Sequence, residues 1–247
     1  MVKQVNKLDD LKAVVDALGF ALKRNFLNPE EITALTAACL PIQESYGERD
    51  VLNQFPLIYT ALPWKKISAL LHWLGFQEPV VARSLFFNKT ASNNWLVAWH
   101  QDKTICLRDR FEHPSFSKWT IKDHILHVEP PAEVLQNMLT LRFALDDVGE
   151  ENGALKVIPG SHQFGKLNTP DIEKIARDSA SIVCSMSAGD VFLMKPLLLH
   201  ASEKAKAVKH RRVIHLEIAE RELPHLAQWA NPLRIANLNH KHSLTIA

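Results

Sequence analysis

The sequence predicts a mainly β domain with α-helices: a double-sheet jelly roll with N-terminal helices packed on one sheet. Three observations carry this. Apolar residues recur at helical spacing up to about residue 79, then switch to short strand-like runs. About eight such runs follow, separated by Asn, Gly, Pro and Asp clusters, which is the strand number of a jelly roll. No linker, internal repeat or low-complexity tract interrupts the 247 residues, so residues 1–247 read as one domain.

The helical layer comes first, over residues 1–79. Leu8, Leu11, Val14, Val15, Leu18 and Leu22 share one helical face. Asn28-Pro29-Glu30-Glu31 combines an N-cap, a proline at the first helical position and two acids near the positive end of the dipole. That helix is expected to run through Ile32, Leu35 and Ala38 to about Leu40-Pro41, and a third to carry Ile67, Leu70, Leu71 and Leu74 before Gly75. The expected core, residues 80–220, has strands at Val80–Phe87, Trp95–His100, Met138–Leu145, Ala154–Ile158, Ser181–Ser185, Val191–Met194, Leu197–Ser202 and Arg212–Ile218. An insertion at about 103–136 shows little periodicity, and long irregular segments of this kind are often lids or binding loops. Residues 221–247 read as a C-terminal tail.

Composition closes several functional classes. Lys and Arg number 29 against 27 Asp and Glu, a balance that predicts no nucleic-acid or membrane partner and leaves a small molecule. Cys39, Cys106 and Cys184 are odd in number, widely spaced and without a CxxC, which argues against a disulfide framework or zinc site. A reducing, cytoplasmic setting is the expectation, as is the lack of a secretory h-region after Met1. Twelve histidines remain to be explained.

His100 and Asp102 are two apart, and residues i and i+2 of a strand point to one face. A second histidine would complete a two-His, one-carboxylate triad, which holds Fe(II) on one side and leaves the other open. His200, in the apolar run Leu197-Leu198-Leu199-His200-Ala201-Ser202, is the best candidate. Eleven residues on, Arg211 shares a strand face with Val213, His215 and Glu217, and an arginine there can clamp a carboxylate through two parallel hydrogen bonds. Ser202 lies on the His200 face and can hydrogen-bond the same carboxylate.

Taken in order, His100-Gln101-Asp102, Asn152-Gly153-Ala154-Leu155-Lys156-Val157-Ile158-Pro159-Gly160-Ser161-His162, His200-Ala201-Ser202 and Arg211 resemble the phytanoyl-CoA dioxygenase family over roughly residues 80–220. The combination is specific, although no single piece is. The resemblance implies a double-stranded β-helix, cupin-like fold and an oxygenase dependent on Fe(II), 2-oxoglutarate and O2. It implies His100, Asp102 and His200 as iron ligands, with Arg211 and Ser202 on the distal carboxylate of 2-oxoglutarate. The product expected is a hydroxylated small molecule, with succinate and CO2 released. Intact Asp102 argues against the halogenase branch, and the short chain looks like small bacterial members, so acyl-CoA specificity does not carry over. Arg142 departs from the human-type enzymes.

Other residues have competing readings. Arg142 is expected to line the interior as a cofactor or substrate contact, with a buried salt bridge to Asp146, Asp147 or Glu217 as the alternative. Lys89 is a candidate cavity contact, and Trp119 and His127 are candidate substrate contacts. His127-Val128-Glu129 is a second, weaker HxE pair. Gly160–Lys166 nearly matches a phosphate loop, but Leu167 stands where Ser or Thr should be and Asn168-Thr169-Pro170 disfavours an immediate helix. His162, His210, His215 and His225 read as surface or packing residues, and Arg108–Arg110 as a solvated loop. A zinc-type or other cupin-like hydrolase or isomerase without 2-oxoglutarate is the alternative function, and a non-catalytic binding protein the third. The sequence leaves the primary substrate and oligomeric state unread.

Overall fold

The helices run in chain order as α1 (Leu8–Leu18), α2 (Pro29–Ala38), α3 (Val51–Gln54), α4 (Pro56–Ala61), α5 (Trp64–Trp73), α6 (Ala132–Gln136) and α7 (Thr169–Asp178). The strands are β1 (Phe20–Lys23), β2 (Gly47–Arg49), β3 (Pro79–Lys89), β4 (Val97–His100), β5 (Ile105–Leu107), β6 (Ser117–Lys122) and β7 (Ile125–Glu129), followed by β8 (Leu139–Ala144), β9 (Leu155–Val157), β10 (Ile182–Cys184), β11 (Val191–Met194), β12 (His200–Ser202), β13 (Arg211–Glu220) and β14 (Leu233–Arg234). This computed structural model describes residues 8–45, 47–90, 93–206, 210–225 and 227–235.

Three antiparallel sheets result. The largest has the order β1-β11-β8-β13-β3-β14, with β2 also on β3; a second is β10-β9-β12-β4 and a third β5-β7-β6. Strand alternation divides the large sheet. Its outer face, with Phe86, Leu141, Phe143, Leu193, Ile214 and Leu216, packs into one cluster with the helical residues Leu35, Ile58, Ile67 and Leu71. Its inner face, with Ala144, Phe192 and Val213, meets Leu155, Val157 and Cys184 of the second sheet. Helices, large sheet and small sheet therefore stack as three layers, and the site lies between the two sheets.

Local chemistry explains the helix starts. Asn28 and Glu31 form a reciprocal capping box, each side chain accepting from the other's backbone N–H at 2.8 Å. The predicted helix ends at Ala38, short of Leu40, where a 3-10 turn takes over.

Five expectations change. Leu22 belongs to β1, an edge strand of the large sheet, because the chain reverses at Gly19. Gly19 has φ +83, and a Cβ there would lie 2.5 Å from His162 Nδ1. The insertion is not irregular: it forms the β5-β7-β6 sheet and α6. Its alternation was hidden because β5 is buried throughout and β6 almost wholly exposed. α7 begins at Thr169, directly after Asn168, whose Oδ1 accepts from Asp171 N at 2.9 Å. Pro170 stands in the first turn, where a missing N–H costs nothing. Leu197–Leu199 do not extend β12; Leu198 N bonds to Lys195 O in a turn. In the expected tail, β14 pairs with β3, while residues 236–247 lie outside the described residues. No helix among the described residues is long and apolar enough to cross a membrane.

Candidate metal centre

β12 pairs with β4 so that His200 stands directly opposite His100. Two histidines a hundred positions apart thus become neighbours, with ring centroids 4.1 Å apart. Asp102 lies just beyond the end of β4, held by its own N–H on Pro196 O at 2.9 Å. Its carboxylate oxygens lie 3.7 Å from the Nε2 atoms of His100 and His200. Gln101, between them, turns the other way. Its amide donates to Gly165 O and Leu197 O and accepts from Leu167 N, all at 2.8 Å. This buried amide pins the segment carrying Asp102, a role the sequence reading did not find.

The ring orientations are informative. His100 Nδ1 lies 2.9 Å from Ala98 O, and His200 Nδ1 lies 2.9 Å from Leu198 O. A carbonyl only accepts, so each Nδ1 carries the proton and each Nε2 presents a lone pair. His200 is buried, whereas the His100 side chain is 38% exposed, so the site opens on the His100 side. Burial opposes ionisation of Asp102, but His200, His100, His215 and Arg83 outweigh it and hold the carboxyl at about 2. Burial pushes His200 down to about 4 despite Asp102. A carboxylate and neutral imidazoles are the states a metal needs.

Beside the triad is a cluster of buried cations. Arg211 opens β13 opposite Lys89 on β3. Its Nη1 donates to Gly153 O at 2.9 Å, while its buried Nε has no partner. Lys89 Nζ donates to Ser202 Oγ at 2.8 Å and Glu203 O at 2.6 Å, and it faces the Trp95 ring at 5.2 Å. Ser202 therefore joins this group through Lys89. Gly153 makes the close approach possible: with φ +77, a Cβ there would lie 2.7 Å from Glu203 O and 3.0 Å from Lys89 Nζ. Burial, Arg211 and Arg142 push Lys89 down to about 7, against the pull of Glu203. Burial and Arg142 push Arg211 down to about 9.

Arg142 lines the interior, sharing a cavity of about 10 Å³ with Arg211. It does not form the alternative salt bridge. Asp146 holds Arg212 at 2.7 Å, Glu217 holds Arg83, and Asp147 accepts from Ala188 N. Arg142 Nη1 instead meets His215 Nδ1 at 2.8 Å. His215 is thus not an incidental packing residue. It is buried, and one of its nitrogens lies within 4.8 Å of oxygens of Asp102 and Glu217. Its place on the Arg211 face of the strand was the available signal.

The remaining candidates lie further along. His127 is buried on β7, with Cys106 Sγ 3.7 Å from its ring nitrogens, and burial with Arg83 pushes its pKa down to about 4. Glu129 is taken by Lys118 at 2.8 Å and Lys166 at 3.3 Å, so the second HxE pair is occupied. Trp119 packs edge-on against Phe111, with the Arg110 guanidinium 5.7 Å above it. Neither residue is brought against the triad. His162 packs on Asp16 O, His210 bonds Asn88, and His225 stacks on His113. All three cysteines are free and buried. A cavity of about 530 Å³ between α1, α6 and β13 contains none of the triad.

Fold and site together define a jelly-roll protein with a clustered two-histidine, one-carboxylate set that could hold a metal. The family model for phytanoyl-CoA dioxygenase (PhyH) matches residues 15–213, and the chain belongs to that family. Among curated relatives, the uncharacterized protein Rv1501 of Mycobacterium tuberculosis is 30% identical, over 87% of this chain and 76% of that one. Phytanoyl-CoA dioxygenase domain-containing protein 1 of Bos taurus is 28% identical over 63% of this chain and 50% of its own length. Among solved structures, the non-heme alpha ketoglutarate dependent carbocyclase SnoK superposes with a TM-score of 0.68 at 16% identity, covering 88% of this chain and 85% of SnoK. EctD from S. alaskensis, solved with 2-oxoglutarate and 5-hydroxyectoine, gives 0.67 at 15% identity, covering 89% and 79%. These likenesses show the jelly-roll fold.

Proposed function

We propose that the protein is an Fe(II)- and 2-oxoglutarate-dependent oxygenase that hydroxylates a small organic substrate. The observation that carries this is the pair of Nε2 lone pairs facing one ionised carboxylate, each imidazole fixed by a backbone carbonyl. That donor set suits Fe(II), and three protein ligands leave positions for other molecules. The unpartnered Arg211 Nε supports a missing anion, because buried donors without partners are rare in native structures. When bound, iron with 2-oxoglutarate and O2 supplies the oxidising power for C–H hydroxylation, with succinate and CO2 released.

In this reading His100, Asp102 and His200 hold the metal. Arg211 orients the distal carboxylate of 2-oxoglutarate, Ser202 and Lys89 support it, and Arg142 adds a third positive charge beside it. The buried walls exclude water, which strengthens these charge contacts. Hydroxylation, rather than the carbocyclisation named for SnoK, is part of the proposal.

The test is succinate formation from 2-oxoglutarate with Fe(II) and O2, screened over amino acids, acyl-CoA thioesters and small secondary metabolites. A stimulating compound should gain one oxygen atom. Absence of 2-oxoglutarate binding under anaerobic Fe(II), with metal bound, would sink the reading and favour a metal-dependent hydrolase or isomerase.

A further inference from the structure

His215 differs from the two proposed ligand histidines in a way the hydrogen bonds decide. Arg142 Nη1 lies 2.8 Å from His215 Nδ1, and a guanidinium has only donors. Nδ1 must therefore accept, so in the neutral ring the proton sits on Nε2. His100 and His200 carry theirs on Nδ1. The three rings in this cavity thus hold opposite tautomers: two offer Nε2 as a lone pair and one offers it as N–H.

The position of that N–H gives the difference a consequence. His215 Nε2 is buried, 3.5 Å from Glu217 Oε1, and makes no hydrogen bond. Glu217 Oε1 is already held by Arg83 Nε at 2.9 Å. Asp102, His215 and Glu217 each place one ligand-type atom within 4.8 Å of the others. With the proton on Nδ1 instead, His215 would present a lone pair that, with Asp102 and Glu217, could draw a metal away from the triad.

We propose that Arg142 is a tautomer lock: by donating to Nδ1 it makes His215 Nε2 an N–H beside the Glu217 and Asp102 carboxylates and withholds the lone pair that Nε2 would otherwise offer a metal. Arg142 and His215 are positioning residues, acting through Asp102 and the lone pairs open to a metal. The claim about the metal rests on the oxygenase reading; the claim about the proton does not.

The two are separated by measuring the metal-free protein first. Long-range ¹H–¹⁵N spectra of histidine-labelled apoprotein should show His215 protonated on Nε2. Arg142→Met should let the Nδ1–H tautomer become populated, and Arg142→Lys, which keeps a donor, should retain Nε2–H alone. Cobalt(II) is then added as a probe. Arg142→Met should bind it more tightly with an altered d–d spectrum, and the added change His215→Phe should reverse both. His215→Phe alone should weaken Co(II) about 10-fold, the low end for an outer residue whose N–H lies near a ligand without a formed hydrogen bond. Opposite signs for two neighbouring residues are not expected from general loosening. The lock is overturned if wild-type His215 carries its proton on Nδ1, or if Arg142→Met changes neither tautomer nor spectrum. A chain whose wild type binds no Co(II) overturns the coordination claim and the oxygenase reading together, while the apoprotein spectra still decide the lock.

Discussion

The two faces of β13 are equally buried and chemically opposite. On the outer face Ile214, Leu216 and Ile218 pack against the helical layer with no exposed surface. On the inner face Arg211, His215 and Glu217 are almost as inaccessible, at 3%, 4% and 4%. Burial does not separate them; the matching of polar atoms does. On the outer side the guanidinium of Arg212 is paired with Asp146 through two hydrogen bonds, whereas the inner face leaves Arg211 Nε and His215 Nε2 without hydrogen bonds. Such orphans are costly in a folded chain, so a face that retains them is shaped for something that binds there. One strand, through its two-residue period, thus carries both the support of the fold and the chemistry of the site.

That contrast is broken most severely from the inner side. Asp102→Ala removes the only carboxylate between the two histidines, and 2-oxoglutarate-dependent succinate formation should fall to background while circular dichroism stays native. Normal turnover at unchanged iron occupancy would refute the ligand set. The outer side should fail differently. Leu216→Ala opens a cavity between sheet and helices and should cost about 2–5 kcal/mol in denaturant unfolding. Molecules that remain folded should still bind metal with wild-type affinity. If Leu216→Ala instead abolished metal binding at full stability, the two faces would not be separable.

The inner face was partly legible because its key residues obey short-range rules. His100 and Asp102 are two apart, and Arg211 follows His200 by eleven. What joins His100 to His200 is a strand pairing across a hundred residues, and spacing alone cannot supply such a register. The family resemblance did. His215 escaped because its role depends on Arg142, which meets it only through β8–β13 pairing. Elsewhere local rules misled for identifiable reasons. Leu22 fell in phase with α1 by chance, and Pro170 looked like a breaker although it occupies the helix position where proline is tolerated. The β5-β7-β6 sheet was hidden because neither β5 nor β6 shows the half-buried alternation by which strands are recognised.

A smaller effect sharpens the contrast through pH. Lys89 is buried and its pKa falls from 10.5 to about 7, chiefly through burial. The unfolded chain binds this proton up to a higher pH than the folded chain does. Stability should therefore rise with pH between about 7 and 10.5. The penalty is fully present below that window. Lys89→Met should remove this part of the slope when the two unfolding curves are compared pH by pH. An identical slope in wild type and variant would mean that Lys89 stays charged throughout.

The smallest effect belongs to a charge pair outside both faces. Lys12 and Asp16 lie four residues apart on α1, 2.5 Å from each other, with side chains about half exposed. Water solvates each charge when the other is absent, and salt screens the attraction. Lys12→Ala should therefore shift stability by no more than about 0.5 kcal/mol. The Arg83–Glu217 pair is the same chemistry in the opposite setting, with side chains only 17% and 5% exposed. There, losing one partner leaves the other charged in a place water does not reach. Arg83→Met should thus destabilise the fold far more than Lys12→Ala in the same denaturant series. Equal losses would mean that water reaches Glu217 in the folded state, and the inner face would then not be the dry surface on which the proposed site depends.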